Sequence, residues 1–491
     1  MATSKQTQRL ESILTVVKRQ HSAFTRTAQT YHQQRCSSIS LISQRSLHTT
    51  RKHDDAAMAL PPATATISTS VKPQRQVSVS DLADLPLSQI LRTLLITGIS
   101  SSPRLLASSS FLLRQTLESK SFIFSLERNP AMRALLWETF YKQFCAGEKD
   151  LEVGKMCQDL RHQGFAGVIL EYALEVLKDA KGDEATDVET WRKGVLDTIS
   201  ISQPGDFVGL KWSGMGVAAF RRMEANDAPS ERMEKAMREA CDAAAERGVS
   251  LLPAAEETWT LEAFHRWCLD LQREYNVNGR AVVYTTYQCY LHQTASFISK
   301  HLEMAKQQNF TLGAKLVRGA YLASEKRDLI FPTIEATHAA YDAVAAALLT
   351  RRFNDTIVPA PQTIVTEQNW PDVNVMIASH NMNSVQTAMR LRRDQAFRGE
   401  KLTTTTFAQL QGMADEVSCS LIAAGKRSEN LADGVKERVY KCATWGPMYE
   451  CLNYLLRRAS ENKDAASRTR DTRVAMQGEI WRRIRATFGL A

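Results

Sequence analysis

Cations and polar side chains recur at one kind of place in this chain, the end of a short apolar run. Lys211 closes FVGLKW, Glu256 follows VSLLP, and Gln288 follows AVVYTT. Lys315 and Arg318 belong to AKLVR, with Gly319, Ala320 and Tyr321 next; Ser379 and His380 end VMIAS. Glu171 with Tyr172, Gln409, and Lys441 with Cys442 hold equivalent places. A half-buried cation needs an anionic partner. A single lysine of this kind would be read as a snorkelling rim residue, but several together point to one anionic ligand, a phosphate or a carboxylate. Further on, YLLRRASEN sets Arg457 beside Arg458, with Glu461 four residues beyond Arg457 and therefore on the same helical face. A solvated amphipathic helix would carry the same charges, so the reading of this segment depends on what stands upstream.

The elements that must position these residues are eight short β-type runs: 167–173, 207–212, 249–253, 281–286, 314–318, 375–379, 403–409 and 438–442. Each is followed by enough chain for a helix, as parallel strands require. In PTIEATHAAYDAVAAALLTRR the pattern places Pro332 at a helix start, with Ile334, Tyr341, Val344 and Leu348 facing inward. Eight such units make an α/β fold of the (β/α)8 type, in which functional side chains project from the C-terminal ends of the strands. An open doubly wound sheet has the same alternation, but the chain has no Gly-x-Gly-x-x-Gly turn after its first strand. FYKQFCAGE (140–148) is a candidate for one more strand, capping the barrel. Ahead of it, periodic apolar positions broken by Pro103 and Pro130 predict a helical arm over 81–139. The barrel then takes 140–491, and 54–80 reads as a linker rich in Ser, Thr and Pro.

The net charge of +9 looks at first like a nucleic-acid signal, but nine basic residues against the single acid Glu11 lie within residues 1–53. An Arg- and Ser/Thr-rich, acid-poor leader has the composition of an organellar transit peptide, so no nucleic-acid partner is expected. With 44% hydrophobic residues the chain can bury a large core. No apolar run reaches the length of about 18 residues that a spanning helix needs, so any membrane contact is expected to be peripheral. The nine cysteines are scattered without Cys-x-x-Cys pairs or zinc-like spacing. Reduced thiols in a compartment such as the mitochondrial matrix, and no metal, are the expectation.

Four segments resemble the proline dehydrogenase family in order and spacing: TYQCYL (286–291), AKLVRGAYLASEKR (314–327), ASHN (378–381) and YLLRRASEN (454–462). FAQLQGMAD (407–415) and PTIEATHAAY (332–341) follow suit, and the resemblance runs from about Phe140 to the C-terminus, in the manner of the eukaryotic mitochondrial members. It implies a distorted (β/α)8 barrel, FAD as cofactor, and oxidation of L-proline to Δ1-pyrroline-5-carboxylate. Electrons would pass to a membrane quinone, from a protein peripherally attached to the matrix side of the inner mitochondrial membrane. Hydride transfer to a flavin needs no side-chain nucleophile, so orientation of the substrate carries much of the catalysis. The resemblance makes Arg457 and Arg458, with Lys211, the grip on the substrate carboxylate, and bidentate guanidinium geometry makes that grip directional. Tyr454 would pack against the proline ring, and Glu461 would orient either the clamp or the flavin's hydroxylated tail. Gln288 corresponds to the residue at the flavin ring edge, and Lys315 to a cation near its reactive nitrogen, stabilising the reduced anion. Arg318, Gly319, Ala320 and Tyr321 match the stretch that meets FAD, with Gly319 permitting close approach. Ser379 and His380 match the pair at its ribityl or pyrophosphate part.

The chain also departs from the family pattern. Ala254-Ala255-Glu256 replaces Asp-Ala-Glu, removing a carboxylate that balances the clamp, and Glu257 is the nearest candidate to replace it. Cys442 stands where a substrate-shielding Tyr is common, Ala408 where a Gly is usual, and Met382 where an acid often follows Asn381. These changes motivate an alternative reading, a catalytically weakened flavin- or proline-binding relative with a regulatory role.

Overall fold

The computed structural model describes residues 80–118, 126, 128–173, 182–428, 434–461 and 469–489, with side chains in the 434–461 segment described as far as 457. The leader (1–53) and, apart from Ser80, the linker lie outside the described residues. Eight strands follow in chain order: β1 Gly167–Tyr172, β2 Phe207–Leu210, β3 Ser250–Pro253, β4 Thr285–Gln288, β5 Leu312–Val317, β6 Val373–Ala378, β7 Thr404–Leu410 and β8 Arg438–Trp445. They form one sheet in the order β3-β2-β1-β8-β7-β6-β5-β4, with every adjacent pair parallel. The seam between β3 and β4 is drawn together by Leu251 N donating to Val282 O (2.6 Å) and Tyr284 N donating to Leu251 O (3.0 Å). The result is the (β/α)8 barrel, nearly closed. β4 begins four residues later than the AVVYTT run suggests, because residues 281–284 meet β3 only at that seam and pairing with β5 starts at Thr285.

Alternate strand residues face opposite sides of the sheet. Ile169, Phe207, Leu252, Tyr284, Met376 and Tyr440 fill the barrel interior. Phe207 meets Tyr284 and Tyr440 edge-on, with centroids 5.6 and 5.1 Å away, a geometry worth about 0.5–1.5 kcal/mol per pair beyond burial. Val168, Leu170, Ala314, Leu316, Val375 and Ile377 pack outward on the helices.

The helices used below are α1 Leu87–Ser100, α2 Pro103–Glu118, α3 Ile334–Thr350 after β5, α4 Met382–Phe397 after β6, α5 Asp415–Ser428 after β7, α6 Met448–Glu461 after β8, and α7 Thr469–Thr487. Thr333 caps α3 by accepting from Ala336 N, so Pro332 precedes the cap. Ile334, expected inside, is 60% exposed as the first helical residue, while Tyr341, Val344 and Leu348 are buried as the pattern requires. The candidate strand at 140–148 is not one: a π-helical turn, Trp137–Tyr141, continues into Lys142–Phe144, and only Cys145 bridges to Thr444. The aromatic run there serves helical packing, with Trp137 stacked on Tyr141 at 4.5 Å.

Candidate active site

Period-two alternation decides which strand-end residues reach the barrel interior. Ala314 and Leu316 are buried among the helices, which turns Lys315 inward. Ile169 and Tyr440 belong to the inner cluster, so Glu171 and Cys442, two residues further along, share that face one layer up. Glu171 lies across Gly209 of β2, where a Cβ would stand 2.3 Å from its Cγ. Burial first, then the Glu171 carboxylate, pushes the Cys442 thiol well above its ordinary range, and Lys315 pulls the other way. Groups from β1, β5 and β8 thus meet above the aromatic floor.

The same alternation corrects three rim candidates. Tyr172 points outward onto Trp445, 5.0 Å between centroids. Gln409 donates to Ser379 O (3.1 Å) and accepts from Ser418 Oγ (2.9 Å), tying β7 to its neighbours. Lys441 is fully buried outside the barrel in an ion pair with Asp415 at 2.7 Å. One residue of register separates each of them from the interior.

Arg318, at the end of β5, organises the next part of the rim. It donates through Nη1 to Ser379 Oγ (2.7 Å), through Nη2 to Ser384 Oγ (2.7 Å) and through Nε to His338 Nδ1 (2.9 Å). Its guanidinium also lies 4.4 Å above the Tyr341 ring centroid. These four contacts aim the cation. Burial and then Arg318 hold His338 below the usual histidine range, keeping it a neutral acceptor. Asn381 caps α4 by accepting from Ser384 N (3.0 Å), so the amide end of that helix opens beside Arg318. A helix N-terminus next to an aimed guanidinium is a site for phosphate oxygens. His380, one residue before the cap, accepts from Leu410 N through Nε2 (3.1 Å) and fixes the end of β6 to β7.

Gln288 closes the other side. Its Nε2 donates to Glu256 O (2.9 Å) and its Oε1 accepts from Ala320 N (2.9 Å), joining the loops after β3 and β5. An amide NH2 has two hydrogens, and Glu256 takes one. Tyr321 reinforces the junction by donating to Ala255 O (2.8 Å), and Lys211 Nζ lies 5.9 Å from its ring centroid. Burial lifts the Glu256 carboxyl above its usual range, while the Lys211 charge and the Ser213 amide at 3.2 Å act against that lift. Glu257, the candidate to replace the carboxylate missing at Ala254, accepts from Trp259 Nε1 (3.1 Å) and Ser324 Oγ (2.5 Å) and holds that loop. At Gly319 a Cβ would meet the Tyr290 ring at 2.5 Å, so the glycine is required by that ring whatever else approaches it.

The clamp segment lies on α6. Gly446, at φ 128°, and Pro447 turn β8 directly into this helix, and Tyr141 donates to Gly446 O (2.8 Å) to hold the turn. Leu452, Leu455 and Leu456 pack against Leu113 and Leu117 of α2. Tyr454, Arg457, Arg458 and Glu461, at i, i+3, i+4 and i+7, share the other face. Tyr454 and Arg457 are half-buried; the side chains of Arg458 and Glu461 lie outside the described residues.

Of the expected site residues, the structure brings together Lys315, Arg318, Gln288, Ala320, Tyr321 and Ser379 around one mouth, with Lys211 beside Tyr321. Sequence reasoning missed His338 and Ser384; both come from helices, and their types and spacing carry no signal of this role. The donor set suits FAD. A guanidinium aimed beside a helix N-terminus fits a pyrophosphate, and Lys315 in the barrel mouth fits a ring that gains negative charge.

These features define a class, a (β/α)8 barrel whose C-terminal rim gathers cations and hydrogen-bond donors at the ends of β5 and β6. The chain matches the family "Proline dehydrogenase" over residues 153–471 and belongs to that family. Human "Proline dehydrogenase 1, mitochondrial" is 33% identical over 273 residues, covering 54% of this chain and 41% of the human one. "Carbapenem antibiotics biosynthesis protein CarD" of Pectobacterium carotovorum is 30% identical over 356 residues, covering 70% of this chain and 84% of that protein. The crystal structure of proline utilization A (PutA) from Bdellovibrio bacteriovorus, inactivated by N-propargylglycine, superposes over 79% of this chain and 39% of that one, with a TM-score of 0.54 and 15% identity. That likeness bears on the fold. The chain spans 34% to 48% of the length of its fly, human, worm and fission-yeast relatives.

Proposed function

We propose that this protein oxidises L-proline to Δ1-pyrroline-5-carboxylate with FAD as cofactor, passing the electrons to a quinone of the respiratory chain in mitochondria, on the matrix side of the inner membrane. The observation that carries the reading is the family match over residues 153–471, which spans the whole barrel and the clamp helix together. The relatives' printed names, mitochondrial proline dehydrogenases of several eukaryotes, support the substrate and the compartment.

Bound FAD supplies the hydride acceptor. The chain's own residues do the rest by position. Arg457 and Arg458, with Lys211, grip the proline carboxylate, Tyr454 packs on its ring, and Glu461 orients the clamp or the cofactor's ribityl tail. Arg318, Ser379, His380 and the α4 N-terminus hold the pyrophosphate and ribityl part, while Gly319 and Ala320 offer backbone. Gln288, with one amide hydrogen left beyond Glu256 O, and Tyr321 would hold the ring end of the cofactor. Lys315 would lend positive charge to a cofactor ring held in the barrel mouth. Reduction of a soluble quinone analogue on addition of L-proline, with one equivalent of Δ1-pyrroline-5-carboxylate per quinone reduced, is the test. Purified flavin-loaded protein that leaves the quinone oxidised would refute the reading.

A further inference from the structure

No helix among the described residues is long and apolar enough to cross a membrane, yet one surface is built of exposed apolar side chains on helices. Seven of the 14 residues of α1 are Leu or Ile, and its sole charge is Arg92. Here Ile90, Thr93 and Thr97 face the protein, whereas Leu87, Leu91 and Leu95, each one turn from the next, are 52%, 52% and 48% exposed.

α7 lies antiparallel against α1. Arg473 near its start donates to Ser101 Oγ beyond the end of α1 (2.8 Å), and Arg483 near its end reaches Leu85 O just before α1 begins (2.8 Å). Leu94 of α1 and Ile480 of α7 pack into the shared cluster under the pair. Leu91 is one turn from Leu94, and Ile484 one turn from Ile480, so the exposed stripes flank the line where the helices meet. The stripe continues through Trp481 of α7 and Phe488 just beyond its end, 63% and 74% exposed. α2, which follows α1, adds Leu105 and Phe111 at 54% and 66%.

The charge on this surface has one predominant sign. α1 and α2 together carry Arg92, Arg104 and Arg114 against Glu118, and α7 carries five arginines against Asp471 and Glu479. Glu479 is buried and already paired with Arg482 and Arg483 at 2.8 and 2.7 Å. Arg104, Arg114, Arg470 and Arg485 are exposed. Exposed leucines and aromatics among arginines, with few acids, are the composition of a face that enters the headgroup layer of an anionic bilayer.

We infer that α1, α2 and α7 form the surface by which this protein lies on an anionic phospholipid bilayer, with Leu91, Phe111, Trp481 and Phe488 entering the interface. This deepens the proposed function, because it places a lipid-soluble acceptor beside the protein, and it rests on that reading for its purpose but not for its evidence. α2 also packs on α6, so the helix bearing the substrate clamp is buttressed by the docking surface.

The test is co-flotation of the full chain with quinone-free vesicles of neutral phosphatidylcholine, with and without about a third anionic lipid, enough to set a negative surface potential. Wild type binds the anionic vesicles and binds them less at high salt. Trp481→Glu with Phe488→Glu lowers that binding roughly tenfold or more, as expected on withdrawing two aromatic side chains from an apolar phase. Both positions are exposed, so thermal melting and flavin content stay at wild-type values. Arg485→Gln with Arg114→Gln, which leaves the apolar stripe intact, lowers binding to anionic vesicles only. Wild-type protein that floats with neither vesicle overturns the inference, as does a Glu variant that binds as wild type does. A dimer that the Glu substitutions convert to monomer, in a protein that ignores vesicles, overturns it in favour of self-association. Because binding is read without turnover and without quinone, failure of the acceptor reading leaves this result standing.

Discussion

Arg318 and Ser379 are joined by a 2.7 Å hydrogen bond from Nη1 to Oγ, which locks the end of β5 to the end of β6 where the cofactor's anionic part is proposed to lie. Ser379 also accepts from Asn381 N (3.1 Å), so the same hydroxyl sets the cap of α4. Arg318→Gln removes the cation while keeping a donor. Loss of one charged hydrogen bond, about 1.5–3 kcal/mol, predicts FAD affinity weaker by roughly ten- to a hundredfold. Titration of the apoprotein followed by flavin fluorescence quenching measures it, and Ser379→Ala is expected to show a smaller loss in the same direction.

The clamp separates from the cofactor site in kinetics. Arg457→Ala and Arg458→Ala are each expected to raise the proline KM by the equivalent of about 1.5–3 kcal/mol, with flavin content unchanged. A variant that kept the wild-type KM would remove that residue from the carboxylate site.

The Lys441–Asp415 pair is a prediction about stability alone. Both side chains are buried, and Asp415 also accepts from Gln89 Nε2 at 3.0 Å. Lys441→Met leaves a buried carboxylate without its cation, a change that costs about 3–5 kcal/mol. Lys441→Met combined with Asp415→Leu is expected to recover much of that loss. Urea denaturation of the single and double variants decides it.

His265 supplies a pH dependence. Its ring is buried against Phe264, Tyr287, Phe297 and His301, and burial, opposed only by the Thr286 backbone, pushes its pKa down to about 3. The folded value lies below the unfolded one of about 6.5. The neutral ring's contribution is therefore complete above about pH 6.5 and is lost as pH falls from there toward 3, at about 1.4 kcal/mol per unit. His265→Leu is expected to flatten the acid side of the stability profile by about 2 kcal/mol at pH 5. His301, also held below its ordinary value by burial, keeps its own share of the slope. Equal slopes in wild type and variant would contradict this.

Much of the barrel was legible in the sequence, because buried parallel strands leave apolar runs and the helices between them leave longer periodic stretches. Seven of the eight strands overlap the runs closely, and β4 does not, since hydrophobicity marks burial and not which neighbour a backbone pairs with. At the site, Lys315 and Arg318 were legible as cations at a strand end. Lys441 had the same appearance, and only the register of β8, with Tyr440 and Cys442 inside, places it on the outer face. His338 left no signal, because its role comes from α3 folding back over β5. Glu257 shows a further limit: its charge was legible, but its partners Trp259 and Ser324 follow from the loop's path.

The central claim, that this barrel holds FAD and oxidises proline with it, is tested most directly by one spectrum. Protein reconstituted with FAD and made anaerobic is expected to lose its visible flavin absorbance when L-proline is added, and to regain it on admitting a quinone analogue. A stably yellow protein that stays oxidised under excess proline would contradict the claim and leave the weakened, regulatory relative as the better account.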